Sequence, residues 1–378
     1  MNTPEFEQRL ARIKTWMQTL WVHRDLMVEA IVQDGWPEAM VQQGLALHKR
    51  TWDVDALATL LHQETALGDP TRHWLGAPPQ VVHIWPALPG AGLAPVLMGM
   101  LAGVPQLVVP SSRGRAFGAH LARASAQQGL EPLLRVVDDS EGAAAHIAQA
   151  DAVVVSGSDE TLAHVRQRLK RGATLVGYGH KVSVAVVVDH DALDLEQVCD
   201  SLSLDIVMWH QRGCFSVQDV VFCGAPERAD ALCAQLGRAI ERTERRLGAT
   251  FDEAMLAKRA QARGVAAFAG QLHGEGLGWV APTGAPLTGE HPSAHVVGVH
   301  RIDDLGQLGD ALALPRGHRQ GVALSVSSGQ LEPWSRALAG MGFTRISSPG
   351  LMQSPGPHWF HDGRANVLPW MTWCTLEL

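Results

Sequence analysis

The stretch Trp209-His210-Gln211-Arg212-Gly213-Cys214-Phe215-Ser216 joins two segments of different pattern. Before it, Leu195–Met208 has the pattern of a helix, and after it Val217–Phe222 reads as a strand. Further upstream, Val182–Val188 is a second such run, apolar enough for a strand buried on both faces. Strand, helix and strand in that order make a parallel βαβ unit. A cysteine at such a junction can sit in a cleft, near backbone N–H groups that lower the thiol pKa and later hold an oxyanion. Taken alone, Cys214 reads more readily as a buried small hydrophobe than as a nucleophile.

The alternation extends in both directions. Upstream, Val81–Trp85, Gln106–Val109, Leu133–Val137, Ala152–Val155 and Thr174–Val176 have strand character, with helical stretches such as Arg115–Gln128 and Thr161–Lys170 between them. Downstream come two long helical stretches, Glu227–Leu247 and Asp252–Gln271. A smaller alternation follows: His295–Val299, a helix over Asp303–Leu312, Val322–Val326 and a helix over Pro333–Met341. The chain opens on a helix whose apolar face is Phe6, Leu10, Ile13, Met17 and Leu20, and two further helical patterns reach about Gln63. The class is therefore α/β, with mainly parallel sheets covered on both faces and ligands expected at the carboxyl ends of the strands. The expected division is an N-terminal helical segment over 1–75, a dinucleotide-binding domain over 76–177, a catalytic domain over 178–345, and a tail over 346–378. That tail is rich in Pro, Gly and Trp and returns to the first domain or an oligomer interface.

Composition narrows the function. The chain has 378 residues, of which 46% are hydrophobic and 18% charged, which suits two packed domains rather than disorder. A net charge of -7 gives no support for a nucleic-acid or anionic-membrane partner. Residues Met1–Trp16 are polar and lack the apolar core of an export signal. The uncharged run Leu93–Ser112 holds Pro95, Gly99, Gly103, Pro105 and Pro110, so it reads as helix, turn and strand and not as a membrane span. The five cysteines are odd in number and none form a CxxC pair, so neither a disulfide framework nor a metal site is expected. Such thiols suit a reducing cytoplasm.

The string Gln211-Arg212-Gly213-Cys214 resembles the Gly-Gln-x-Cys stretch of the aldehyde dehydrogenase superfamily. Asp205, Gln211, Cys214 and Ser216 together are similar to the nucleophile segment of its LuxC-type acyl-CoA reductases. Other segments follow in family order. Val155-Ser156-Gly157-Ser158-Asp159-Glu160 resembles Phe-Thr-Gly-Ser-Thr-Glu, and Gly177-Tyr178-Gly179-His180-Lys181 resembles Glu-Leu-Gly-Gly-Lys. Val108-Val109-Pro110-Ser111-Ser112 is similar to the strand ending in Lys-Pro-Ser-Glu, and Trp85-Pro86-Ala87-Leu88-Pro89 to Pro-Trp-Asn-Phe-Pro. The tail with His361-Asp362-Gly363 and the Trp370–Glu377 strand resembles the end of LuxC-type chains. The likeness implies two Rossmann-like domains and an acyl-Cys214 intermediate reduced to an aldehyde. His210, close in sequence to Cys214, is an acid–base candidate that can stabilise the thiolate. The likeness also implies a nicotinamide cofactor held near Pro110, Ser111, Arg113, Gly157, Ser158 and Gly179. The partners it implies are an acyl-CoA or acylated carrier, an acyl-protein synthetase and further copies of the chain.

The departures are informative. The superfamily's general-base glutamate falls on Gly177, which argues against hydrolytic release of a free acid and suits a thioester. The oxyanion asparagine falls near Pro86 or Ala87, a donor of a kind that contributes about 3 kcal/mol elsewhere. The ribose-binding lysine and glutamate fall on Val109 and Ser112. With Ser111, Arg113 and Arg115 beside them, the site favours NADPH over NADH, because guanidinium forks match phosphate oxygens. His180 and His361 are further acid–base candidates. The arginines Arg238, Arg242, Arg245 and Arg246 read as a solvated helix face. Two other readings stay open: a non-redox acyltransferase that uses the same cysteine, and a catalytically degenerate subunit of a reductase complex.

Overall fold

Four helices begin the chain: α1 (Pro4–Val22), α2 (Arg24–Gln33), α3 (Glu38–Thr51) and α4 (Val54–Thr65). Thr3 caps α1 by accepting the Phe6 N–H at 3.2 Å, with Pro4 and two glutamates in the first turn as the helix dipole favours. Its buried face is Phe6, Ile13, Trp16, Met17 and Leu20. There are three further helices here and not the two expected, because His23, at φ -103 and ψ 38, ends α1 and a new helix starts at once. In the computed structural model, residues 3–67, 71–137, 140–268, 280–282 and 294–377 are described.

By its internal contacts the chain forms two units. One comprises Met1–Val41, His48–His180 and Gly356–Leu378, the other Gln42–Leu47 and Lys181–Pro355. In the first, strand β1 (His73–Gly76) pairs antiparallel with the last strand of the chain, Thr372–Thr375. The helical expectation over 1–75 missed β1. The unit then runs β2 (Val81–Ile84), α5 (Leu93–Leu101), β3 (Gln106–Val109), α6 (Arg115–Ala126), β4 (Leu134–Val136) and α7 (Ser140–Gln149). It ends with β5 (Ala152–Ser156), α8 (Asp159–Arg168) and β6 (Thr174–Tyr178). The sheet order is β4-β3-β2-β5-β6, parallel throughout. This is a doubly wound sheet whose strand order reverses between β2 and β5, the crevice where such folds take ligands. Val82, Leu107, Val153 and Val155 pack against Ile147, Ala150 and Val165. A polar pair is built into this interior: His83 Nε2 donates to Gln106 Oε1 at 2.6 Å, and Gln106 Nε2 donates to the Val104 carbonyl at 2.7 Å. Burial pushes His83 down to about 4, so it is neutral at pH 7.

The second unit contains β7 (Val182–Val188), α9 (Leu195–Val207), β8 (Val217–Cys223), α10 (Pro226–Leu247), α11 (Glu253–Phe268) and β9 (Val280–Pro282). It continues with β10 (Val297–Ile302), α12 (Leu308–Ala311), β11 (Arg319–Ser325), α13 (Leu331–Met341) and β12 (Arg345–Ser347). The order is β12-β11-β7-β8-β10-β9, again parallel. Every residue of β7 and β8 is buried, including Ser183 in the first and Gln218 and Asp219 in the second. Val182, Val184, Val186 and Val188 face Leu308, Leu312, Trp334 and Leu338. The helix expected over Asp303–Leu312 is only a single turn at Leu305–Gln307 followed by the short α12, with the poor helix formers Gly306 and Gly309 inside it. The stretch expected to reach Gln271 is helical to Phe268, and 269–271 lie outside the described residues. The fold class is α/β with parallel sheets and N-terminal helices, as the sequence indicates. Among the described residues no helix is long and apolar enough to cross a membrane.

Candidate active site

Between α9 and β8 the backbone does something costly. Trp209, His210 and Gln211 have φ values of 55, 54 and 59, three consecutive non-glycine residues in the left-handed region. Each costs about 1–2 kcal/mol relative to a right-handed turn. Buried side chains hold them there. Gln211 Nε2 donates to the carbonyls of Val217 at 2.9 Å and Val296 at 3.0 Å, and Gln218 Nε2 donates to the Gln211 carbonyl at 3.3 Å. The Trp209 indole lies so close to Gly44 of α3 that a Cβ there would collide with the ring.

Cys214 follows in a tight turn. The Ser216 N–H closes that turn on the Gly213 carbonyl at 2.9 Å, and the Gly213 N–H donates to Ser216 Oγ at 3.2 Å. The Cys214 carbonyl accepts the Ser183 hydroxyl at 2.6 Å. None of the five cysteines is in a disulfide, and they are not equivalent. Burial pushes the thiols of Cys199 and Cys233 up to about 12 and raises that of Cys223. Those three sulfurs are thus poor nucleophiles. Cys374 is exposed on β13 (Thr372–Thr375), and Cys214 is half-buried on its turn.

His210 is buried, and its ring stacks on His295 with centroids 5.9 Å apart and planes 9° apart. His295 Nδ1 meets Glu244 Oε1 at 2.7 Å, and Arg259 donates to the same oxygen at 2.7 Å. Burial works against ionisation of Glu244, but these two bonds outweigh it and hold its carboxyl below the ordinary range. Burial lowers His295 despite its acidic partner. The consistent state is a carboxylate paired with Arg259 and a neutral His295 that donates from Nδ1. Arg259 also lies over the Phe251 ring at 4.3 Å. A cavity of about 250 Å³ opens beside this group, lined by His210, Arg212, Asp252, Ala254, Met255, Lys258 and Ala294. The described residues that line it do not include Cys214. His210 and Cys214 therefore share a loop, while the imidazole is engaged with His295. The sequence reading missed His295, Glu244 and Arg259. Glu244 lies on the buried side of α10, whereas Arg259 comes from α11 and His295 from the residues before β10, so no one segment of the sequence carries the signal.

The residues expected to hold a cofactor lie in the first unit. Pro110 and Ser111 follow β3, Gly157 and Ser158 follow β5, and Gly179 follows β6, all at the carboxyl edge of the sheet. Arg113 sits in the exposed turn before α6. A nicotinamide dinucleotide fits this edge in one respect: Ser111 Oγ is buried with no hydrogen-bond partner among the described residues, a donor in need of an acceptor. The Ser158 hydroxyl is engaged in capping α8 through the Thr161 N–H at 3.2 Å. The start of α6 is also engaged, since Asp34 accepts the N–H groups of Ala116 at 3.0 Å and Phe117 at 3.1 Å. A phosphate near α6 would thus depend on side chains such as Arg113 and Ser111 and not on the helix terminus. A side chain on Gly177 would run into Leu162, and one on Gly179 into the Asp159 carboxylate, which also accepts the His180 N–H at 2.9 Å. Tyr178 stacks on His361 at 3.6 Å, and burial raises its hydroxyl pKa. Among the arginines of α10, Arg242 pairs with Asp200 and Arg246 with Gln43 on an exposed face.

Two parallel sheets, with a half-buried cysteine before the strand β8 of the second, make an aldehyde-dehydrogenase-like fold. Solved structures agree on the fold. An oxidoreductase from Marinobacter aquaeolei superposes with a TM-score of 0.76 at 14% identity, covering 98% of this chain and 86% of that one. The methylmalonate-semialdehyde dehydrogenase DddC from Oceanimonas doudoroffii gives 0.74 at 15%, covering 99% and 86%. An NAD-dependent benzaldehyde dehydrogenase from Corynebacterium glutamicum gives 0.74 at 16%, covering 100% and 85%. No curated protein matches the chain. Residues 72–373 match the LuxC acyl-CoA reductase family, and the chain belongs to it.

Proposed function

We propose that the protein reduces an acyl thioester to an aldehyde through an acyl-Cys214 intermediate, with NADPH as reductant. The observation that carries this reading is the contrast among the thiols. Three are sequestered and one is exposed on a peripheral strand, while Cys214 sits half-buried on a turn that several buried side chains hold in place. The Cys214 thiolate attacks the thioester carbonyl, the tetrahedral centre collapses, and CoA or a carrier thiol leaves and takes up a proton. A nicotinamide dinucleotide held by the strand ends of the first unit would supply the hydride that reduces the acyl-enzyme carbonyl. The Cys214 C–S bond would then break, with loss of the hydroxyl proton, to release the aldehyde and restore the thiol. Gly177, where a water-activating base would stand, leaves the acyl-enzyme to this fate and not to hydrolysis. His210 is the candidate proton donor or acceptor, oriented by the ring of His295.

Family membership supports an acyl-protein synthetase or acylated carrier as the donor, and an assembly of several copies. Ser111 and Arg113 are the residues we assign to the NADPH 2′-phosphate, with Pro110, Gly157, Ser158 and Gly179 along the same strand ends. A second reading, thioester exchange without reduction, is favoured by one observation: Asp34 already occupies the start of α6. NADPH oxidation with a panel of acyl-CoAs, the aldehyde being trapped as it forms, tests the proposal. Aldehyde in step with NADPH loss is expected. Acyl-enzyme without any nicotinamide affinity would replace the proposal with the second reading.

A further inference from the structure

A buried carboxylate lies behind the cysteine turn. Asp205, in the last turns of α9, accepts the backbone N–H groups of Gly350 at 2.6 Å and Met352 at 2.9 Å. Arg345 binds the same segment through its carbonyls, donating to Met352 at 2.8 Å, Leu351 at 2.7 Å and Ser354 at 3.3 Å. Its guanidinium lies 4.7 Å from the centre of the Phe215 ring. Residues 350–354 form no regular element, so these side chains satisfy backbone groups that a sheet or helix would otherwise pair. From this segment Gln353 Nε2 reaches Ser216 Oγ at 3.2 Å, and Ser216 Oγ in turn accepts the Gly213 N–H.

The opposite side of the turn is gripped as well. Ser183 is a lone polar residue in the apolar strand β7, at the point where the register of β7 slips against both β8 and β11. Its hydroxyl accepts the Gly321 N–H at 3.1 Å and donates to the Cys214 carbonyl. A Cβ on Gly321 would press on Met352, Ser183 and Phe215 together. The Ser183 hydroxyl therefore fixes the peptide unit that follows Cys214, and the Ser216 hydroxyl, itself bonded to Gln353, fixes the unit that joins Arg212 to Gly213.

We propose that Asp205, Gln353 and Ser183 are positioning residues: the segment Gly350–Ser354, docked on Asp205, sets the orientation of the Cys214 turn through Gln353 and Ser216. The proposal rests on Cys214 being the acyl acceptor. None of the three residues needs to touch substrate. Their effect falls on the angle and distance at which the sulfur meets the carbonyl, where an error of about 1 Å costs on the order of a hundredfold in rate.

The test compares Gln353→Ala and Ser183→Ala with wild type in single-turnover acylation by an acyl-CoA, with the acyl group located by peptide mass. Iodoacetamide alkylation of Cys214 and thermal melting are followed in parallel. The expected result is an acylation rate at saturation about tenfold or more lower, with half-saturation by acyl-CoA unchanged within about twofold. Alkylation should stay within about threefold. The losses from Ser216→Ala and Gln353→Ala should combine less than additively, since the two share the Gln353–Ser216 bond, with Ser216→Ala the larger because it also removes the acceptor of the Gly213 N–H. Acylation as fast as wild type in both variants would overturn the proposal. So would a fall in acylation, alkylation and melting temperature together, which is the signature of a structural role alone. Failure of wild type itself to acylate while Cys214 still alkylates would refute the nucleophile reading and is distinct from either result.

Discussion

The two parallel sheets place their candidate chemistry at opposite edges. In the first unit, Pro110, Ser111, Gly157, Ser158 and Gly179 gather where the strands end, as an open sheet with a reversal point leads one to expect. In the second unit that carboxyl edge carries ion pairs. Arg228 grips Asp189 in a fork at 2.9–3.3 Å, and Arg301 pairs with Asp303. Cys214 instead precedes β8, at the amino edge of its sheet. The difference is physical. A carboxyl edge offers helix starts and backbone donors suited to an anionic ligand. The nucleophile proposed at Cys214 needs a fixed direction of attack, which the left-handed segment Trp209–Gln211 before it and the buried hydroxyls around it would supply at a cost in backbone strain.

If that contrast is sound, the second unit is the more fragile to loss of a single buried partner. Glu244→Ala leaves Arg259 buried without its carboxylate and is expected to cost about 3–5 kcal/mol by denaturant unfolding. A loss below about 1 kcal/mol would show that the group around His295 does not support the turn.

The units should also respond to pH with opposite sign. His83 has a folded pKa of about 4, below its ordinary 6.5. The stability it contributes is present above 6.5 and is lost as pH falls toward 4, about 3 kcal/mol in all. Asp205 has a folded pKa of about 7, above its ordinary 3.8, so its contribution is full below 3.8 and lost as pH rises to about 7. Both act between about pH 4 and 7: His83→Gln should remove a rise of stability with pH there, and Asp205→Asn a fall. A change of the same sign from both would erase the contrast.

Gly44→Ala is expected to destabilise by about 1–3 kcal/mol despite a better helix former, because its methyl meets the rigid Trp209 ring. It should slow Cys214 acylation as well. At the smallest scale, Arg113→Ser should raise the KM for NADPH about fivefold and leave that for NADH unchanged, since the contact is exposed and screened. An equal effect on both cofactors would remove Arg113 from the 2′-phosphate.

Much of this was legible in the sequence. Apolar runs such as Val182–Val188 marked buried parallel strands, and the order of short motifs around Cys214 pointed to the family. Three kinds of feature were not legible. Strand β1 pairs with a partner some three hundred residues away, and its half-exposed four-residue pattern carries no signal of its own. The left-handed Trp209–Gln211 segment contains no glycine or asparagine to announce it. The neighbours of His210 come from α10, α11 and the start of β10, which only tertiary packing brings together. Ser183 was a missed clue, since a lone hydroxyl within a fully buried strand must be bonded to something.

The most direct trial of the account is to incubate the protein with a radiolabelled acyl-CoA without reductant and to map the label. The account predicts stoichiometric label on the peptide carrying Cys214, none in Cys214→Ala, and its release as aldehyde when NADPH is added. Label on Cys374, or label that persists unchanged in Cys214→Ala, would contradict it.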